Sequence, residues 1–504
     1  MTQTMQDPDQ AAPIGELLRR NAARAPDAPA VTCEASTVTY GELEAGANRL
    51  ARAYADLGVA EGDFVSIGLP NGPRFVLSCY AAWKLGATPQ PVSPRLPARE
   101  LAQIIETADP ALVVGFPPEI AGGRTALDAG FRPDRALSAA PLPPRVSPSW
   151  KAPTSGGSTG RPKLIVAGRP GRFDPVQVGA RFQLRPGQTQ LVPGPLYHNA
   201  PFFAAMVGSF LGQHVVVLPR FDPQRALELI DRHRVTYISL VPTMLLRMLR
   251  AYEEDPDRYD IRSLEVVWHT AAPCPAWLKR RWIELLGPER IFEAYGATEG
   301  QAATMITGTE WLAKPGSVGR PMMGEIAIVD EDGAFAPPMQ IGSVVMRSST
   351  GAAPTYRYVG ASTTAFADGW ESVGDAGYLD ADGYLFLVDR HDDVILSGGA
   401  NIFPAEVESA ILEHPLVLSA AVVGLPDDDL GQRAHAAVEA APGLDEDELR
   451  EFLSSRLVRY KIPRSFRIGT DPLRDDAGKV RRKAIREREV ERQQAQGAPA
   501  HGWV

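Results

Sequence analysis

The stretch Thr154-Ser-Gly-Gly-Ser-Thr-Gly-Arg-Pro-Lys163 packs hydroxyls, glycines and a terminal lysine into one short run. Glycines let backbone N–H groups come close to a polyphosphate, and Ser and Thr hydroxyls can donate to its oxygens, so Thr154, Ser155, Gly156, Gly157, Ser158, Thr159, Gly160 and Lys163 read as a phosphate loop. A Walker A loop needs Gly-Lys-Ser/Thr where this chain has Gly160-Arg161-Pro162-Lys163, which disfavours a P-loop NTPase. The GxGxxG spacing of a dinucleotide fold is also absent. Taken alone, a Gly/Ser run is more often a flexible linker than a nucleotide site; only the order of the hydroxyls and the terminal lysine tilt the balance toward phosphate. Other residues suited to chemistry have plainer readings when taken singly. Thr298-Glu299 is also a turn before a helix, and Asp375, after a glycine, is also a turn residue. Lys479, in DDAGKVRR, is also part of a solvated basic run. Ser397-Gly398-Gly399 is also a plain turn. His198, in PLYHNAPFF, stands among Tyr197, Phe202 and Phe203, a setting that favours a site wall over an isolated structural histidine.

The order of the runs carries more than any one of them. After the phosphate loop come Tyr295-Gly-Ala-Thr-Glu299, Gly316-Ser-Val-Gly-Arg-Pro321, Gly369-Trp-Glu-Ser-Val-Gly-Asp375, Asp389-Arg-His-Asp-Asp-Val-Ile-Leu-Ser-Gly-Gly399 and Gly478-Lys479. In that order they resemble the acyl-CoA synthetase, adenylation-domain and luciferase superfamily of adenylate-forming enzymes, over nearly the whole chain. Two departures stand out: Gly157 where many members have Thr, and Asp389 where Gly commonly precedes the arginine. Neither touches the expected chemistry.

The resemblance implies two half-reactions: a carboxylic acid and ATP give acyl-AMP and pyrophosphate, and the acyl group then passes to coenzyme A. It implies Glu299 as the Mg²⁺ carboxylate, in keeping with a cation usually held by one or two carboxylates plus phosphate oxygens and waters. Thr298 would donate to the α-phosphate. Tyr295 would stack on adenine, with Ala272 and Pro273 on the other side of the base, while Asp375 and Arg390 would hold the ribose hydroxyls. Lys479 would bridge carboxylate and α-phosphate during adenylation. Asp392 matches the hinge about which such enzymes rotate a small domain, and Ser397, Gly398 and Gly399 would then border the tunnel for the pantetheine thiol.

His198, Phe202, Trp268, His269, Gly296 and Ala297 are the expected acid pocket. Amino-acid-activating members carry an aspartate in the PLYHNAPFF position; none is present here, which disfavours an amino-acid substrate. VVWHTAAPCPAWLKRRW and TSGGSTGRPKL look most like the branch with bile-acid and other polycyclic-acid CoA ligases, so a bulky alicyclic or polycyclic acid is the expected substrate. A freestanding ligase loading the phosphopantetheine of a carrier protein is the alternative. A non-catalytic acyl-nucleotide-binding protein is the reading from another class.

These residues need a scaffold, and the pattern around them supplies one. From Glu42 to about Gly115, helical periodicity alternates with short apolar runs such as FVSIGL and ALVVG. After residue 190 the rhythm returns as ALELIDRHR, VTYISLV, PTMLLRMLRAY and LEVVWH, which predicts parallel sheets with covering helices. Phe116 to Lys151 reads as an irregular connection carrying little chemistry. From Glu325, short strands broken by Asp-Gly turns predict a β subdomain, and after Arg390 a compact α+β pattern predicts a second domain. The expected fold is therefore α/β: a large N-terminal domain over 1–390 with parallel and mixed sheets, and a small mobile α+β domain over 391–504. EREVERQQAQGAPA reads as a frayed tail.

The chain has 504 residues, more than one hydrophobic core supports. Its net charge of −9 argues against a nucleic-acid partner, so anionic ligands must be met by local donors. The three cysteines, Cys33, Cys79 and Cys274, lack paired spacing and read as reduced structural thiols. No run approaches a membrane span and no targeting signal is evident, so the cytoplasm is the expected location. Partners are expected to be the acid, ATP and CoA, with a homodimer left open.

Overall fold

The computed structural model describes residues 11–156, 162–349, 354–363, 365–390, 393–475 and 478–495. The expected parallel sheet is there. Pro29–Cys33, His214–Val217, Thr189–Val192, Tyr237–Leu240, Val266–His269 and Ile291–Gly296 lie side by side in that order, all parallel. Tyr237–Leu240 is buried along its whole length, as a strand covered by helices on both faces must be. The helices that follow these strands start where their sequences allow. Pro242 opens the helix Pro242–Glu254, where its missing N–H costs nothing. Asp222 caps Pro223–His233 by accepting from the Arg225 N–H.

At Gly296 the sheet changes character. Ala303–Thr307 and Ser317–Met323 continue it antiparallel into Leu385–Arg390, Glu371–Leu379, Gly342–Arg347 and Glu325–Val329, the β subdomain foreseen from Glu325 onward. Gly319, from the GSVGRP run, has φ +97°, and an added Cβ would lie 2.0 Å from the Met305 carbonyl oxygen. Only glycine fits that crossing. A separate parallel sheet joins Thr88–Pro91, Phe64–Ile67, Leu112–Val114 and Ala126–Leu127. Residues 116–151 are largely irregular apart from Pro118–Ala121 and Ala126–Leu127, as expected.

Beneath the helix Asn199–Phe210, the rings of Trp83, Trp150, Phe202 and Phe210 meet edge-on or tilted at centroid separations from 5.6 to 6.3 Å. Burying each such ring contributes about 2–3 kcal/mol, which makes this cluster the anchor of the N-terminal core.

Sheet membership changes after Arg390. Ile395–Ser397 and Ala400–Ile402 form a hairpin that joins Val417–Asp427, Gly431–Ala440 and Ser465–Gly469 in a smaller sheet. Helices Pro404–Leu412 and Glu446–Ser454 accompany it. Where composition predicts a frayed tail, the chain instead forms the helix Arg482–Ala495, whose Ile485 packs with Val423, Leu425 and Ala437. This charged sequence is stabilised by buried Ile485, by Val490 packed against the same cluster, and by Arg467 reaching Glu489 at 2.7 Å. The small sheet rests on Pro242–Glu254: Arg247 meets Glu439 at 2.7 Å, and Arg250 donates to the carbonyls of Val417 and His414.

Candidate active site

The parallel strands deliver their carboxyl ends to one edge, the place where open α/β sheets bind ligands. Val192 leads to His198, Leu240 to Thr243, His269 to Ala272 and Pro273, and Gly296 to Thr298 and Glu299. Ala271 is held at φ +75°, a strained conformation for a residue with a side chain, directly before Ala272.

The phosphate run folds as a hairpin. Thr154–Gly156 pairs antiparallel with Pro162–Ala167, Ser155 opposite Lys163. Gly157, Ser158, Thr159 and Gly160, its expected tip, lie outside the described residues. The root is pinned: Gln90 donates to Thr154 Oγ1 at 3.0 Å, and Gln90 is itself held by Ser66.

Across from the hairpin stands Glu299. Its Oε1 accepts from the Tyr358 hydroxyl at 2.5 Å and lies 3.8 Å from Lys163 Nζ, which sits 3.7 Å from the centre of the Tyr358 ring. Burial lowers the Lys163 pKa, and the Glu299 charge opposes that shift. The Tyr358 phenol is pushed upward by burial first and by its bond to Glu299 second, so it remains a donor. Behind it, Tyr356 donates to Glu371 at 2.7 Å and Gln301 to the same carboxylate at 2.6 Å. Tyr356–Val359 pairs with the hairpin strand itself, so Tyr358 ties the hairpin to Glu299 while Tyr356 ties it to Glu371, two tyrosines that sequence reasoning missed. Nothing in the run YRYV distinguishes them from ordinary strand residues.

Glu299 is thus a carboxylate already oriented by the Tyr358 phenol on Oε1, and it is the acidic side chain of the site suited to a cation. Among the described residues no group of three or more His, Cys, Asp or Glu could hold a metal alone. The donor set thus fits an ion such as Mg²⁺, shared between one carboxylate and nucleotide oxygens. Thr298 is half-buried next to it, in the tight turn closed by the Gly300 N–H to the Ala297 carbonyl at 3.1 Å.

Tyr295 and Asp375 come together, the phenol donating to Asp375 Oδ2 at 2.7 Å. Asp375 is the cross-strand partner of Arg390. Ala272 is half-buried and Pro273 exposed, both just beyond the strand end.

The acid-pocket residues do not all share one wall. His198 occupies the N-cap position of the helix Asn199–Phe210 without a side-chain capping bond, and its ring lies tilted at 51° to Tyr197 with centroids 4.8 Å apart. Phe202 is 1% exposed and belongs to the ring cluster of the core. Trp268 and His269 point to opposite faces of the sheet, as adjacent strand residues must. Trp268 meets Phe182 and Phe292, whereas His269 is buried beside Glu293 and Lys279, an ion pair on the other face. Burial and the Lys279 charge hold His269 neutral. Gly296 is exposed at the strand end and Ala297 half-buried beside it.

Lys479 is exposed, in a hairpin closed by the Asp475 N–H to the Lys479 carbonyl at 3.0 Å. Gly478, at φ +75°, is buried, and a Cβ there would lie 2.9 Å from Val241 Cγ2 and 3.1 Å from Thr243 Oγ1. The lysine loop therefore stands at the carboxyl edge of the sheet. Ser397, Gly398 and Gly399 form the turn of the small hairpin, and the Gly398 N–H donates to Leu430 in the same domain at 2.9 Å. Asp392 lies outside the described residues.

Residues 18–357 match the family model of the AMP-binding enzymes, and residues 406–478 match that of the AMP-binding enzyme C-terminal domain. The long-chain-fatty-acid–CoA ligase FadD13 of Mycobacterium tuberculosis is 32% identical over 94% of this chain and 98% of its own. The 2-succinylbenzoate–CoA ligase of Bacillus licheniformis is 29% identical over 89% of this chain and 94% of its own. Among solved structures, o-succinylbenzoate CoA synthetase from Bacillus subtilis, with its acyl-adenylate intermediate, superposes with a TM-score of 0.80 at 28% identity, covering 94% of this chain and 98% of that one.

Proposed function

The chain belongs to the AMP-binding enzymes, and from that premise we propose which side chains do the work and which acid they serve. It is an AMP-forming acyl-CoA synthetase that uses ATP, Mg²⁺ and CoA. The observation that carries the assignment of roles is the meeting of Lys163, Glu299 and Tyr358 with the Tyr295–Asp375 pair at one sheet edge.

Asp375, with Arg390 opposite it in the strand pair, receives the ribose diol, and Tyr295 and Ala272–Pro273 bracket the base. Lys163 and the hairpin N–H groups take the phosphates. Glu299 would hold Mg²⁺, which when bound neutralises phosphate charge and orients the leaving pyrophosphate. An acid carboxylate oxygen then bonds to the α-phosphorus as the bond to pyrophosphate breaks. Thr298 and Lys479 donate to the charge that develops there. In the second half-reaction the CoA sulfur bonds to the acyl carbon, its proton is lost and AMP departs. His198 stands beside that centre, and rotation of residues 391–504 about Asp392 exchanges Lys479 for Ser397–Gly399. The packing of Gly478 on Val241 and Thr243 supports the adenylating arrangement.

The substrate on this reading is a bulky alicyclic or polycyclic acid. The PLYHNAPFF run has no carboxylate for an amine, and the relatives named above act on a long-chain fatty acid and on 2-succinylbenzoate. The test is pyrophosphate release with cholate, ferulate, benzoate, octanoate and alanine, followed by thioester formation with free CoA or a phosphopantetheinylated carrier protein. Cholate with free CoA is expected to give the highest kcat/KM. A lead for alanine or octanoate would overturn the substrate class, and thioester only on the carrier would overturn CoA as acceptor.

A further inference from the structure

Lys151 precedes the phosphate hairpin by three positions and is 6% exposed. Its ammonium donates to Asn199 Oδ1 and lies 4.5 Å from the centre of the Trp150 ring. Asn199 is the first residue of the helix Asn199–Phe210 and directly follows His198. Among the described residues, no carboxylate pairs with the ammonium. The segment 147–153, the strand Pro162–Ala167, residues 168–173 beyond it, and the run from Pro195 through Phe210 contain no Asp or Glu. Their titratable or charged groups are Lys163, which faces Glu299, Arg169 and Arg172 after the strand, and Tyr197 and His198 before the helix.

A buried ammonium with one neutral acceptor is costly, because an amide oxygen replaces little of the lost hydration. Its position makes matters worse, since the N-terminal end of a helix carries positive partial charge and favours anions. Burial alone pushes the Lys151 pKa down to about 7. Local conflicts of this kind concentrate where a ligand resolves them.

We propose that Lys151 is a specificity-determining residue of the acid site, the cation that receives the substrate carboxylate beside His198 before adenylation. The inference rests on the placement of the acid at His198 given above. Binding joins a carboxylate anion to a largely neutral amine, so one proton is taken from solvent and no covalent bond changes. Lys479 acts later, on charge that develops at the α-phosphate. A mere tie between hairpin and helix would need no charge and would not respond to the acid.

Calorimetric titration of the full-length enzyme with the best acid of the panel, cholate on the present reading, tests this in phosphate and in Tris at about pH 8, where the free amine is mostly neutral. The heats should differ between buffers by the uptake of close to one proton, and the acid Kd should weaken up to about tenfold per pH unit above about 7. Lys151→Met should abolish the uptake and the pH dependence. It should also raise the acid KM about 10–100-fold, leave the KM for ATP unchanged and keep or raise Tm. Buffer-independent heats in the wild type, or a Lys151→Met enzyme with unaltered acid KM, would overturn the proposal, as would a lowered Tm with normal kinetics. Lys479→Ala separates the failures: if it still adenylates, the underlying site reading fails, and if it does not while Lys151→Met behaves as wild type, only this inference fails.

Discussion

Glu299 is held before any cation arrives, by a phenol at 2.5 Å and an ammonium at 3.8 Å on the same oxygen. Glu299→Gln keeps the acceptor for Tyr358 and removes only the charge. Pyrophosphate release at limiting Mg²⁺ should then fall about 10²-fold and recover in part as Mg²⁺ is raised, with an unchanged circular dichroism spectrum. Equal rates at limiting Mg²⁺ would take Glu299 out of the cation site. Tyr295→Phe loses the donor to Asp375, a bond to a charged group that contributes about 1.5–3 kcal/mol. The ATP KM should rise about tenfold or more with kcat little changed, and an unaltered KM would remove the pair from nucleotide binding. Glu299, Tyr295 and Asp375 were legible because each sits in a run with its own spacing. Tyr358 and Lys151 were not, because the first lies in an ordinary strand and the second in a connection that reads as structureless; only their contacts reveal them.

The same contrast holds for elements. Pro242 marked its helix, and the Asp-Gly turns marked the β subdomain, because local chemistry decides both. The opposed facing of Trp268 and His269 follows from the alternation of side chains along the strand VVWH, which the expectation of one acid pocket holding both overlooks. The terminal helix was not legible, because its stability comes from a face supplied by Val417–Asp427. That face also carries a pH response. His435, 4% exposed on the neighbouring strand, bonds Ser465 at 2.8 Å, and burial pushes its pKa from 6.5 to about 4. Between those values the unfolded chain binds the extra proton, so stability is full above about pH 6.5 and is lost as pH falls toward 4, by up to about 3 kcal/mol. Thermal melts of wild type and His435→Gln across this window should show a steeper fall in the wild type, and parallel curves would exclude the histidine as the cause.

For the whole molecule the decisive question is whether one pose serves both half-reactions. Lys479→Ala should slow acyl-AMP formation about 10²–10³-fold yet still convert supplied acyl-AMP and CoA to thioester. Asp392→Pro, which fixes φ at the expected hinge, should keep adenylation and lose thioester formation. Equal loss of both half-reactions in both variants, with folding intact, would exclude domain alternation. The large sheet has a consequence of another kind, for synthesis. Its strand Pro29–Cys33 pairs in parallel with His214–Val217, and Thr32 is joined to His214 by a hydrogen bond spanning 182 residues. At about 5–20 residues per second, a ribosome needs roughly 10–40 s to deliver that partner after the first strand has been made. Throughout that interval the nascent chain carries an apolar strand with an open edge, so its yield in the cell should depend on chaperones that shield newly made segments more than on the stability of the finished enzyme.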